Sequence, residues 1–204
     1  MANICYIHSY GVNHYQQILD SYFVFGNEFF NFCDEIKICY YGEKPIIYGK
    51  EKHIQLNNAD ELETLNHIYN HAKSNEGDNI CYIHTKGVTN DNECISDWRN
   101  YMFHFCCKKY KDRISNLIDS DTCGVDLREE PKLHYSGNFW WSRTNYIRTL
   151  CKPEDTISPL TPRHRAEFWI TSGHGKHTAV HDCGISVYDR HLHKYPPNKY
   201  EVIK

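Results

Sequence analysis

Apolar and polar positions along the chain switch between a period of two and a helical period. Residues 3–12 read NICYIHSYGV and residues 79–88 read NICYIHTKGV; eight of the ten positions are identical, and the copies lie 76 residues apart. Each is a β-branched and aromatic run that stops at a glycine, so each predicts a strand feeding a loop. Two copies exclude a solenoid, which buries its core only by stacking several units.

Between the copies, Tyr15, Ile18, Leu19, Tyr22 and Phe23 fall at helical spacing and predict a helix from Asn13 to about Cys33. Ile36–Tyr41 and His53–Leu56 predict strands. Asp60 suits an N-cap, with Glu63 three residues on as in a capping box, and Leu62, Leu65, Ile68 and Ala72 then line one helix face. The order β-α-β-β-α-β predicts an α/β layer with a mainly parallel central sheet flanked by helices. Beyond the second copy, Ile95, Trp98, Met102, Cys106, Tyr110, Ile114 and Leu117 keep period from Cys94 to Ile118, with a break expected near Lys108–Lys111. Cys123–Leu127 and Phe139–Ser142 predict strands, Thr144–Leu150 a helix, Pro153, Pro159 and Pro162 a loop, and Arg163–Thr171 a helix. The remainder is rich in His and Gly and ends in a tail over about residues 190–204. No internal boundary interrupts the pattern, so residues 1–204 are expected to form a single domain.

Composition supports a globular chain: 40% hydrophobic and 24% charged. Sixteen Tyr, nine Phe and four Trp supply core, or walls for flat and sugar-like ligands. A formal net charge of -3 and no basic run give no case for nucleic acid. No secretory leader pattern and no run long enough to span a bilayer is seen, so a cytoplasmic location is expected, the host cytoplasm if the source is viral. The ten Cys form no C-x-x-C pair and sit in apolar segments, so buried, reduced thiols are expected.

Ligands of open parallel sheets bind outside the carboxyl ends of strands. If the two repeat strands are neighbours, His8-Ser9 and His84-Thr85-Lys86-Gly87 meet at that edge. A lysine on a glycine loop suits a phosphate, through its ammonium and the backbone N–H groups; the alternative is a solvated lysine after a strand.

Four segments, YIHTKG at 82–87, DWR with Met102 at 97–102, HYSGNFWW at 134–141 and AEFWI at 166–170, resemble a family of small GT-A-type glycosyltransferases found in large DNA viruses, including the chlorovirus glycosyltransferase domain, and in polysaccharide loci. The resemblance implies a GT-A-like nucleotide-diphospho-sugar transferase fold with the first and fourth strands adjacent. It also implies a nucleotide-sugar donor, with UDP the expected nucleotide, and a glycan or glycoprotein acceptor. His8, by its pairing, and His84, Thr85 and Lys86 would then lie by the donor, with Asp97 and Arg99 within reach. His134, Ser136, Gly137, Asn138, Trp140 and Trp141 would form the floor for donor sugar and acceptor.

GT-A enzymes often hold Mn2+ or Mg2+ on an Asp-x-Asp motif after the fourth strand. Here that place reads His84-Thr85-Lys86, so the metal stays undetermined and Lys86 could supply part of its charge. Asp119-Ser120-Asp121 is Asp-x-Asp by letter but reads as a turn. An inverting transfer needs a base for the acceptor hydroxyl, and Glu167 is the candidate, with Asp126 and Asp97 after it. The alternative for Glu167 is a surface partner of Arg163 at i, i+4. On a strand Trp140 and Trp141 point to opposite faces, so only one of them could stack on a sugar. His174, His177 and His181, followed by His191 and His193, are either a metal site or a polar loop. The functions to weigh are therefore a glycosyltransferase, a non-catalytic sugar-nucleotide or glycan-binding module, and a zinc hydrolase built on those histidines. No G-x-G-x-x-G or P-loop is present.

Overall fold

The computed structural model describes residues 1–46, 48–90, 92–186 and 188–201. The strands are β1 (Asn3–Gly11), β2 (Glu35–Gly42), β3 (Lys52–Gln55), β4 (Asn79–His84), β5 (Thr122–Val125), β6 (Leu127–Arg128), β7 (His134–Tyr135), β8 (Trp140–Arg143) and β9 (His177–His181). The helices are α1 (Tyr15–Phe25), α2 (Asn27–Phe32), α3 (Glu61–Ser74), α4 (Glu93–Phe103), α5 (Tyr110–Asp119), α6 (Thr144–Ile147) and α7 (Arg165–Trp169). Seven strands form one sheet in the order β3-β2-β1-β4-β8-β5-β9, and β6 and β7 pair as a separate ribbon. Only β8 runs against its neighbours, so the sheet is mainly parallel, as the pattern predicts.

The repeat explains the centre. β1 and β4 pair in parallel with no offset, Asn3 opposite Asn79 and His8 opposite His84. Like side chains therefore lie side by side: Cys5, Ile7, Cys81 and Ile83 face one core with α1, α2, α4 and α5, while Ile4, Tyr6, Ile80 and Tyr82 face another with α3, α6 and α7. The alternation of the pleat sends one row to each side.

The single helix expected from Asn13 to Cys33 is two, parted at Gly26. A Cβ there would meet the Phe103 ring at 2.6 Å and the Tyr22 carbonyl at 2.7 Å. The long helix breaks as expected, but through a π-helical turn over His104–Lys108, before α5 resumes at Tyr110. Asp60 caps α3 by accepting the Leu62 amide at 3.0 Å. Glu63 does not close the capping box; it reaches further back, to the amides of Asn57 and Asn58. The His-rich region expected to be irregular holds β9, which continues the sheet beside β5. Within the predicted tail, residues 202–204 lie outside the described residues.

All ten cysteines are free thiols, and seven of them are buried. No helix among the described residues is long and apolar enough to cross a membrane.

Candidate functional site

β1 and β4 end together, and α3 starts at the same edge because it follows β3 and runs back along the sheet. The turn before β8 also lies there, since Trp140 pairs with Tyr82 near the end of β4. These ends frame a cleft of about 720 Å³ whose lining includes His8, Glu61, His84, Lys86, Arg163 and Glu167.

The loop after β4 is shaped by Gly87, at φ +84°, where a Cβ would stand 2.6 Å from Ile95 Cγ2. Arg99, on α4, donates from Nη1 to the Lys86 carbonyl at 2.7 Å and from Nη2 to Ser96 Oγ at 3.2 Å. Thr85 Oγ1 accepts the Tyr10 amide at 3.2 Å, tying the ends of the twin strands together. Lys86 Nζ lies 4.0 Å over the Trp98 ring and makes no ion pair or hydrogen bond among the described residues. Burial lowers the pKa of this ammonium, against the pull of Glu167 and Glu61.

Opposite it, Glu61 accepts from Tyr82 OH at 2.7 Å and from Asn138 Nδ2 at 2.9 Å. Burial alone would raise the Glu61 carboxyl, but the facing imidazoles of His84 and His8 and these two hydrogen bonds bring it down to about 2. The hydrogen bonds act even when both imidazoles are neutral. His84 Nε2 lies 2.9 Å from the Gly137 carbonyl, and since a carbonyl only accepts, Nε2 is the donor and carries the proton. Burial takes the His84 pKa down to about 4, with Glu61 opposing, Lys86 adding and His8 adding slightly. His8 is held by Thr64 Oγ1 at 2.8 Å and is likewise pushed down by burial.

These shifts make the fold acid-sensitive. Unfolded histidine takes its proton near 6.5 and folded His84 only near 4; Glu61 moves from 4.5 to about 2. Both folded values are depressed, so their stabilisation is complete above about pH 6.5 and is lost as pH falls through 4 and then 2. The melting temperature should therefore fall steadily from pH 7 to pH 4, and His84→Asn should lessen that slope. An unaltered slope in the variant would show that His84 is not buried neutral.

The sequence-derived site residues divide. His8, His84, Thr85 and Lys86 line the cleft. Arg99 does not; it is 8% exposed and works as a clamp on the loop backbone. Asp97 projects from α4 toward the C-terminal segment, where its charge acts on Lys194 and Tyr200, so it is not a donor contact. The expected floor of sugar-binding residues is instead a scaffold. Trp140 and Trp141 are both 0% exposed, one in each core, because β8 sits inside the sheet and both its faces are covered. Their Nε1 atoms donate to Asn138 Oδ1 at 3.0 Å and to the Cys106 carbonyl at 2.7 Å. His134 is buried against Phe168, with Nδ1 2.7 Å from the Lys132 carbonyl, and Ser136, two residues on, is buried as well. Gly137 (φ +87°) and Asn138 (φ +60°) form a left-handed turn that holds His84 and Glu61 from behind. A Cβ on Gly137 would lie 2.4 Å from Met102 Sδ.

Residues 36–181 match the family model of a domain of unknown function, DUF8361. The chain belongs to this family. Among solved structures, the DUF8361 chain resembles HddC from Yersinia pseudotuberculosis, at 14% identity and a TM-score of 0.51, over 89% of this chain and 91% of that one. HddC complexed with GMP-PN is similar at 14% identity and a TM-score of 0.50, over 89% and 90%. The bifunctional IspDF from Campylobacter jejuni is matched at 13% identity and a TM-score of 0.46, over 88% of this chain and 50% of that one. The HddC likenesses bear on the fold. No curated protein matches the chain.

Neither metal reading finds its ligands among the described residues of this DUF8361 chain. Asp121 accepts the Lys176 amide and pairs with Arg143 at 3.7 Å, at the start of β5 and so at the opposite edge from the cleft. His177 and His181 sit at the two ends of β9, about 13 Å apart along a strand. His177 is 2.8 Å from Thr122 Oγ1, His181 is stacked on Phe105, and His174, His191 and His193 are exposed, so no zinc triad forms among the described residues. Among the described residues the one three-ligand cluster is Asp126, Asp182 and Cys183, and there Arg128 already grips Asp182 at 2.6 and 2.7 Å. The cleft itself brings imidazoles and an ammonium to Glu61, and among the described residues it does not gather the clustered oxygen ligands a hard cation needs.

Glu61 is the residue that sequence reasoning missed. Beside Asp60 and Glu63 it looks like any acid in a helix's first turn. The signal lay in its place: a helix that starts after a parallel strand opens at the ligand edge.

Proposed function

We propose that this cleft binds a nucleotide-activated sugar through its diphosphate and that the protein transfers the sugar to a glycan or glycoprotein acceptor, as the resemblance to small GT-A-type glycosyltransferases suggests. The observation that carries the reading is Lys86: an ammonium that makes no ion pair among the described residues, set over Trp98 at the carboxyl ends of two parallel strands. Glu167, half-buried on α7, lines the same cleft, and no ion pair joins it to Arg163 among the described residues. The acceptor oxygen attacks the anomeric carbon while the Glu167 carboxylate takes its proton. The bond from that carbon to the diphosphate oxygen breaks, its electron pair stays on the diphosphate, and Lys86 stabilises the charge that develops there. No step in this account is assigned to a metal. HddC, related in fold, has been seen with GMP-PN, which agrees with a nucleotide-type ligand for this architecture.

A nucleoside diphosphate or its sugar at 100 times its dissociation constant should stabilise the protein by about 2.7 kcal/mol, and so raise the melting temperature by roughly 5–10 °C. Lys86→Ala should weaken that binding by about 10- to 100-fold in calorimetry, the worth of a charge-assisted contact, without loss of fold. No shift with any member of a UDP, GDP and sugar-nucleotide panel at millimolar concentration sinks the proposal. Binding without donor hydrolysis or transfer points to a non-catalytic module.

A further inference from the structure

Two atoms at the base of the cleft face each other as acceptors with no hydrogen between them. The Gly137 carbonyl fixes the proton of neutral His84 on Nε2, which leaves Nδ1 a bare lone pair. That Nδ1 faces Glu61 Oε1 at 3.9 Å. Trp140 Nε1 can only donate, so its 3.0 Å contact identifies Asn138 Oδ1 and turns the amide nitrogen toward Glu61. Asn138 Nδ2 and Tyr82 OH then both donate to Glu61 Oε2, at 2.9 and 2.7 Å. Oε2 is filled, whereas Oε1 receives no hydrogen among the described residues. The Glu61 side chain keeps 27% of its exposure, and it opens on the cleft.

Building on the sugar-nucleotide reading above, we infer that Glu61 Oε1 and His84 Nδ1 together receive the two hydroxyl hydrogens of a vicinal diol on the ligand, one at each atom. A lone hydroxyl has one hydrogen and would leave its oxygen against the second acceptor. A phosphate brings only acceptors, and a carboxylate repels it. A cation is a poorer fit, because no third His, Cys, Asp or Glu joins these two among the described residues. His8 does not compete, since Thr64 already holds its Nδ1. The acceptor pair and the Lys86 ammonium thus divide the cleft between a diol and an anion, the two chemistries a sugar-nucleotide offers.

The diol has two sources, the ribose and the transferred sugar, and calorimetry on the whole chain separates them. One arm compares UDP and GDP with their 2′,3′-dideoxy counterparts; the other compares UDP-hexoses with analogues lacking ring hydroxyls. The expected result is a loss of about tenfold or more in one arm, the worth of a hydrogen bond to a charged acceptor. Glu61→Gln places an amide N–H against His84 Nδ1 and should abolish that discrimination while leaving the deoxy ligand's affinity within about threefold. Wild-type protein that binds these ligands equally well with and without the hydroxyls overturns the diol pair and leaves the donor site standing. Binding of none of them overturns both. The deoxy series in wild type decides the matter even if Glu61→Gln fails to fold, which thermal unfolding would show.

Discussion

Glu167→Gln should lower turnover by about 10²–10⁴-fold while the melting temperature and the donor dissociation constant stay close to wild type. The glutamine keeps the size and part of the hydrogen bonding of the carboxylate but cannot take a proton from the acceptor. Because α7 is anchored by Ala166, Phe168 and Trp169, all buried, the exchange at the half-buried position between them leaves the helix in place. Initial rates of nucleoside diphosphate release with acceptor, set beside calorimetry with donor alone, separate the two effects. Had Glu167 been a surface partner of Arg163, its loss would cost about 0.2–0.5 kcal/mol of stability and no activity. Full activity in the variant refutes the assignment. Asp126, 1% exposed and held by Tyr101 and the Cys183 amide, and Asp97, outside the cleft, could not then replace it, which leaves Glu61 and Asp60 among the lining carboxylates.

The second large effect is on folding. Trp140→Ala should destabilise the protein by about 3–5 kcal/mol, the usual result of truncating a fully buried indole. Its ring packs against Tyr82 at 5.2 Å and Trp169 at 6.2 Å between centroids. Trp140→Phe keeps most of that packing but leaves Asn138 Oδ1 unpaired, at a cost of about 1–3 kcal/mol, and frees the amide that holds Glu61. Urea unfolding measures both. A sugar-stacking Trp140 would give the opposite pattern, near-normal stability with weakened substrate use, and that outcome would contradict the burial seen here.

The central features were legible because they are local or repeated. The two copies of NICYIH gave the strands, their pairing and the edge where His8 and His84 meet. The break near Lys108–Lys111 was readable from polar residues interrupting a helical stripe, though not its π-helical form. What was lost depends on neighbours distant in sequence. The motif HYSGNFWW is aromatic and polar in a way that suits a sugar platform, and only the position of β8 between β4 and β5 shows that both indoles are covered. Asp97 and Arg99 lie two residues apart on a helix, and such residues face different directions, so both could not serve the cleft. The histidines between 174 and 181 read as a metal site or a polar loop, and instead His177 and His181 sit at the two ends of a strand that spreads them apart.

The in-register twin strands also set a problem for the chain as it acquires its structure. A collapsing molecule meets two central seats, flanked by β2 on one side and β8 on the other, and owns two segments whose inward side chains are the same. β4 in the place of β1 would satisfy the Cys and Ile row and the Ile and Tyr row equally well. What rejects the exchange is connectivity and the loop residues, Ser9-Tyr10 against Thr85-Lys86, rather than the fit of the core. Bringing the right copies together also closes a long span of chain, which slows the search. The molecule therefore carries, in β4, a segment whose core-facing side chains duplicate those of β1.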